Sequence, residues 1–182
     1  MRVRLIMGLL FALASLDSPA ATRIAILAFE LKDLTLAPGI PAEIKRTGAI
    51  RPLLAGELAS AGYTIVDIPL AAQQSAAGGV GDLFDHADAA AELGKQFGAD
   101  YVLVGRLHKP SFLFAYLMGH LVRVENRTLI GNLIIESKGP NAQLVRKAVE
   151  SLADKIDALL DNRYDPPPPS KLKTHQHPAV LN

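Results

Sequence analysis

A chain of 182 residues with 49% hydrophobic side chains is long enough for one domain with a sizeable buried core. It contains no cysteine, which excludes disulfides, thiolate nucleophiles, cysteine-bound metals and a lipid-modified cysteine. Its 19 basic and 18 acidic residues nearly balance, which argues against a nucleic-acid partner, because that affinity rests on neutralising phosphates.

The amino end reads as an export signal. Arg2 and Arg4 form a basic start, Leu5 to Leu16 an apolar stretch of 12 residues, and Ser18-Pro19-Ala20 supplies small residues for cleavage after Ala20, with Ala21 as the alternative. Twelve apolar residues fall short of the roughly 20 a membrane-spanning helix needs. Loss of residues 1–20 removes Arg2, Arg4 and Asp17 and leaves 17 basic and 17 acidic side chains. The predicted organisation is therefore a signal peptide at 1–20, a single α/β domain at 22–163 and a disordered proline-rich tail at 164–182. The expected location is the periplasm, with no stable membrane span once the signal is gone.

Arg23 to Leu31, RIAILAFEL, is a short continuous apolar run of the kind a strand covered on both faces shows. Lys32 to Thr47 then reads as a long loop broken by Pro38, Gly39 and Pro41. Glu30, Lys32 and Asp33 sit where strand meets loop, the usual ligand end of an open α/β sheet. Ile50, Leu53, Leu54 and Leu58 predict a helix over Ala49 to Ala61, with Pro52 in its first turn, Thr47 as a cap and Gly62 just past its end. Tyr63 to Ile68 is a strand, and Ala71 to Gly81 a small-residue loop.

Asp85 is positioned to cap a helix running to about Phe97, in which Gly94 allows close approach to the sheet and His86 is solvated. Tyr101 to His108 follows as the central strand, and Lys109-Pro110-Ser111 as a turn. Phe112 to Val124 admits two readings, a hydrophobic helix or a long strand; its aromatic and β-branched content and Gly119 favour the strand. After a polar hairpin loop, Leu129 to Ser137 is the last strand. Asn141 caps a closing helix whose Leu144, Val145, Ala148, Leu152, Ile156, Leu159 and Leu160 recur at three- and four-residue steps. His175 and His177 in the tail make an HxH too isolated for a firm metal site.

The predicted fold is α/β (α+β), a five-stranded mixed sheet in the order 2-1-3-4-5 with three helices. Crossovers make the first three strands parallel, and tight turns make the last two antiparallel. The segments RIAILAFEL, LAGELASAGYTIVD and AAELGKQFGADYVLVGRL resemble the amino-terminal domain of the translocation protein TolB and the periplasmic domain of the curli secretion protein CsgG, over roughly residues 22–160. IRPLLAGEL, LFDHADAAAELG and VGRLHKPSFLFAYLMGHLVRV resemble a family of exported proteobacterial proteins of unknown function. The resemblance implies an anticodon-binding-domain-like, TolB-amino-terminal-like fold and an envelope compartment, but no activity. Without an anchor cysteine, a pore-forming insertion or a propeller, neither pore nor propeller function carries over.

No phosphate loop, nucleophile elbow or zinc motif is present, so no catalytic residue, cofactor or metal is assigned. Strand alternation puts Val102, Val104, Arg106 and His108 on one face, while Leu103 and Leu107 face a core layer. Tight turns then bring Arg106 near Tyr116, Tyr116 near Glu136, and His120 near Asn132. This patch would grip a peptide or carboxylate through Arg106; the plainer reading is an Arg106–Glu136 pair satisfying itself under the closing helix. Candidate binding residues are Arg106, His108, Lys109, Tyr116, His120, Asn132 and Glu136, together with Glu30, Lys32 and Asp33. The sequence reads as a noncatalytic module binding an envelope protein or small ligand. The alternatives are a small-molecule-binding or hydrolytic protein using the patch, and a homo-oligomer.

Overall fold

The computed structural model describes residues 21–137 and 141–161. The expected signal peptide, the proline-rich tail and the His175/His177 pair lie outside the described residues. In chain order the elements are β1 (Arg23–Ile26), β2 (Glu30–Asp33), α1 (Pro41–Ser60), β3 (Thr64–Val66), α2 (Leu70–Gly78), α3 (Ala87–Gln96), β4 (Tyr101–Lys109), β5 (Ala115–Arg123), β6 (Thr128–Ser137) and α4 (Ala142–Leu160).

The strands run β3-β1-β4-β5-β6, the expected order, with β1 parallel to β3 and β4, and β5 antiparallel to β4 and β6. The described residues hold six strands and four helices, however, rather than five and three. The first strand is interrupted. The Phe29 ring fills the space beside Gly105, where an added Cβ would stand 2.2 Å from it. The Ala28 N–H leaves the ladder for the side-chain oxygen of Gln73 (2.8 Å). The chain then returns to β4 as β2, in register Glu30 with Arg106 through Asp33 with Lys109.

Gln73 belongs to the second unexpected element. Alanines are the best helix formers, and Pro69 sets the chain up just ahead of them, so the small-residue stretch folds as α2. Buried Gln73 also donates to the Ile68 carbonyl (2.7 Å), which ties α2 to the strand break.

Helix α1 begins far earlier than expected, with Pro41 in its first turn, so the long loop shrinks to Leu34–Ile40. Thr47 is inside the helix, its hydroxyl donating to the Glu43 carbonyl, and Pro52 lies in the interior rather than at the start. An interior proline costs about 3 kcal/mol. Ile50, Leu54 and Leu58, all buried, return roughly 1.5–3 kcal/mol each, so packing outweighs the local cost.

Two core layers flank the sheet. On one side Leu103, Leu107, Leu117, Leu121 and Leu133 pack against Ile50, Leu54 and Leu58 of α1 and Val149, Leu152 and Ile156 of α4. On the other, Val102 and Val104 meet Leu93 and Ala90 of α3 and Leu83 and Phe84 of the preceding loop. Gly94 permits the α3 contact, since a Cβ there would come within 2.2 Å of Val102 Cγ2. Asn141 caps α4 by accepting the Gln143 N–H (2.8 Å). The expected strand at 112–124 is a strand, though it begins at Ala115 and leaves Phe112–Phe114 in the exposed turn.

Candidate functional site

The sheet face opposite α1 and α4 carries the candidate residues in three rows. Lys32, His108, Tyr116 and Glu136 form one row across β2, β4, β5 and β6. Glu30, Arg106, Met118 and Ile134 form the next, and Val104, His120 and Asn132 the third. The expected pairs Tyr116–Glu136 and His120–Asn132 are direct neighbours. Arg106 instead faces Met118, and His108 takes the place beside Tyr116.

Arg106 does not grip Glu136, and the closing helix does not cover it. Its Nε donates to Glu30 Oε2 at 2.7 Å, and its terminal nitrogens stand 3.5 Å from Asp85 and 3.7 Å from Asp82. The guanidinium lies 4.2 Å from the centroid of Phe84, so the loop before α3 seals it to 6% exposure. Asp85, expected to cap α3, faces this cation instead. His86 occupies the cap position without a side-chain bond, and its Nδ1 meets the Asp82 carbonyl at 2.7 Å. The Asp85 N–H, aided by the Arg106 and His86 charges, holds the Asp82 carboxyl below its ordinary 3.8 against the opposing effect of desolvation.

His120 stacks on Phe84 at 3.9 Å between centroids, and its Nδ1 donates to the Phe84 carbonyl at 2.7 Å. Beyond this point the face is bare. Ile134 is 47% exposed and Leu129 46%, Asn132 and Glu136 are exposed, and Tyr116, Met118 and His108 are half-buried. Among the described residues no side-chain hydrogen bond ties Lys32, His108, Tyr116 and Glu136 together, and no strand pairs with the outer edge of β6.

Lys109, expected in an exposed turn, is buried on the other face. Its Nζ donates to Glu43 Oε1 (2.9 Å), and Glu43 also takes Arg46 (2.6 Å). Asp33 points into its own loop, accepting from Thr35 and from the Gly39 N–H. The Thr35 hydroxyl first, then these N–H groups and the Lys109 charge, lower its pKa. A pocket of about 300 Å³ opens at the β1–β2 break, beside Val104 and Gly105 in the middle of β4, lined by Leu27, Leu70, Phe84 and Val104 with Glu30 and Asp82 at its polar side. Sequence reasoning missed Gln73, Asp82, Phe84, Glu43 and Arg46. Only Glu43 and Arg46 carry a local signal, an i, i+3 opposite-charge pair that becomes visible once the helix is extended back to Pro41.

Residues 22–156 match the family DUF3280, described as a protein of unknown function (DUF2380). The chain belongs to that family. No curated protein matches its sequence. Among solved structures it is similar to the hypothetical protein CT253 from Chlamydia trachomatis, with 8% identity, 78% of this chain and 99% of that one covered, and a TM-score of 0.53. It is also similar to the LpoB carboxy-terminal domain from Salmonella enterica (17% identity, 67% and 86% covered, TM-score 0.45) and to TolB from Acinetobacter baumannii (16% identity, 78% and 29% covered, TM-score 0.46). The family is thus one of unknown function, and TolB, the expected resemblance, is among the solved structures to which this chain is similar. At these identities the likeness concerns the fold alone.

Proposed function

We propose that the protein is a noncatalytic module of the cell envelope that docks an extended apolar segment of a partner protein against β6 and the bare sheet face beside it. The observation that carries this reading is the ten-residue edge strand β6, whose outer side has no neighbouring strand among the described residues and whose Leu129 and Ile134 are half in solvent. An edge of this length offers main-chain bonds to an added strand, and alternate side chains supply specificity. The saturation of Arg106 by Glu30, Asp82 and Asp85 counts against a carboxylate-gripping or hydrolytic patch. Tyr116, His108, Asn132 and Glu136 then serve as the polar margin of the docking face. The export signal read in residues 1–20 supports the envelope location, and the module proposed is the single domain of residues 22–163.

The test is a photo-crosslinking side chain at Ile134, with the same probe at partly exposed Glu57 on α1 as the control. One discrete adduct at position 134, absent at 57 and lost with Leu129→Glu, is expected. No adduct at 134, or equal adducts at both positions, defeats the reading, and an adduct of twice the chain's mass replaces the partner with a second copy. A second reading, a small organic ligand in the pocket between Glu30 and Asp82, is favoured by its 300 Å³ volume and largely apolar wall.

A further inference from the structure

Three segments converge at the end of the sheet where β2 and β4 finish, and buried Lys109 joins them. Its carbonyl accepts the Leu34 N–H (2.9 Å), and its ammonium donates to Glu43 in the first turn of α1. The same ammonium lies 5.6 Å from the centroid of the Phe112 ring in the β4–β5 turn. What these segments turn outward is apolar: Leu36 is 97% exposed, Leu113 74% and Phe112 63%, with Leu34, Ile40 and Ile44 exposed around them. These side chains project from turns and from a helix start, and none of them lines the pocket at the β1–β2 break. The result is an exposed apolar apex apart from that pocket.

The charges at this end are sorted. Glu43 is buried between Lys109 and Arg46, and Asp33 is bound within its own loop by Thr35 and Gly39. Lys32 and Lys45 are exposed, and no described residue pairs with either. Glu136, the exposed carboxylate in the sheet row of Lys32, lies on the far side of β4 and β5. Separate protruding apolar side chains flanked by free cations need no complementary surface to bury them. A bilayer takes such side chains at the boundary between headgroups and acyl chains, and anionic headgroups meet the lysines.

From this complementarity we propose that the apex is a membrane-contact surface, on which Leu36, Phe112 and Leu113 enter the interface of an anionic bilayer and Lys32 and Lys45 pair with its headgroups. The contact is interfacial, since among the described residues no helix is long and apolar enough to cross a membrane. It leaves the β6 face free for a protein.

The experiment is co-sedimentation of the chain, as recovered from its host, with vesicles of phosphatidylcholine containing phosphatidylglycerol and with vesicles of phosphatidylcholine alone. Leu36→Ser with Leu113→Ser should lower partitioning about tenfold or more on the anionic vesicles, because each removes an inserting side chain from a site already in solvent. Lys32→Gln with Lys45→Gln should weaken binding about fivefold per lysine on the anionic vesicles and leave the neutral ones unchanged. The proposal is overturned if the wild-type chain ignores anionic vesicles or if the serine pair binds as well as wild type. It is overturned equally if the serine pair instead abolishes self-association measured without lipid, which would assign the apex to a contact between copies.

Discussion

The two faces of the sheet are covered by helices of very different reach. On one side α1 and α4, of 20 and 19 residues, span all the strands from β1 to β6 and leave Leu103, Leu117, Leu121 and Leu133 nearly inaccessible. On the other, α2 and α3 have 9 and 10 residues, and a loop must complete the cover over Arg106 and His120. At 1.5 Å per residue the first pair extends about 30 Å and the second about half that. The short pair makes only slight contact with β6, and most of that strand's length on this face stays bare. Helix length on each side therefore decides which face stabilises the domain and which is left to meet something else.

The largest test of this contrast is on the closed side. Leu152→Ala, at a fully buried position of α4, should cost about 2–5 kcal/mol, read as a fall in midpoint on urea unfolding. A cost as small as that of an exposed substitution would mean the closed face is not closed. Next comes Gly94→Ala, which asks whether the short-helix side is tight where it does cover. A methyl group there would stand 2.2 Å from Val102 Cγ2 and 3.0 Å from Val124 Cγ2, so a loss of about 1–3 kcal/mol is expected; a neutral result would show that α3 rides loosely. The smallest effect concerns the loop that finishes the cover. Because the folded state lowers the Asp82 pKa, its stabilisation is fully present above the ordinary value of 3.8 and is lost as pH falls through the folded value. Melting temperatures of wild type and Asp82→Asn should differ by a constant amount at neutral pH and converge below that range. A gap that persists in acid would assign the effect to shape rather than charge.

Much of the framework was legible along the chain because it depends on local pattern. The strand order, the parallel and antiparallel pairings, the closing helix with its Asn141 cap and the close approach at Gly94 all follow from apolar periodicity, turns and crossover rules. The failures have a different physical origin. β2 reads Glu-Leu-Lys-Asp and offers no apolar run, because Glu30 lies beside Arg106 and Lys32 beside His108 rather than beside core residues. α2 lacks a hydrophobic stripe, so its stretch reads as a small-residue loop, although alanine propensity and Gln73 decide the outcome. Arg106 stands out in the sequence of β4 as a charged residue within an apolar run. Its partners come from 76 residues away in Glu30 and from a loop 21 to 24 residues upstream, a distance no local spacing encodes.

Helices α1 and α4 lie side by side on the closed face, and Tyr63, just beyond α1, donates its hydroxyl to Asp157 of α4 (2.8 Å). Nascent chains emerge amino end first, so α1 must wait for nearly the whole domain before its last neighbour arrives. Until residues such as Leu152 and Ile156 appear, the leucines of β4, β5 and β6 have α1 alone as a lid. A chain stopped short of α4 would expose the part of that layer that α4 covers, so completion of the fold is coupled to completion of the polypeptide.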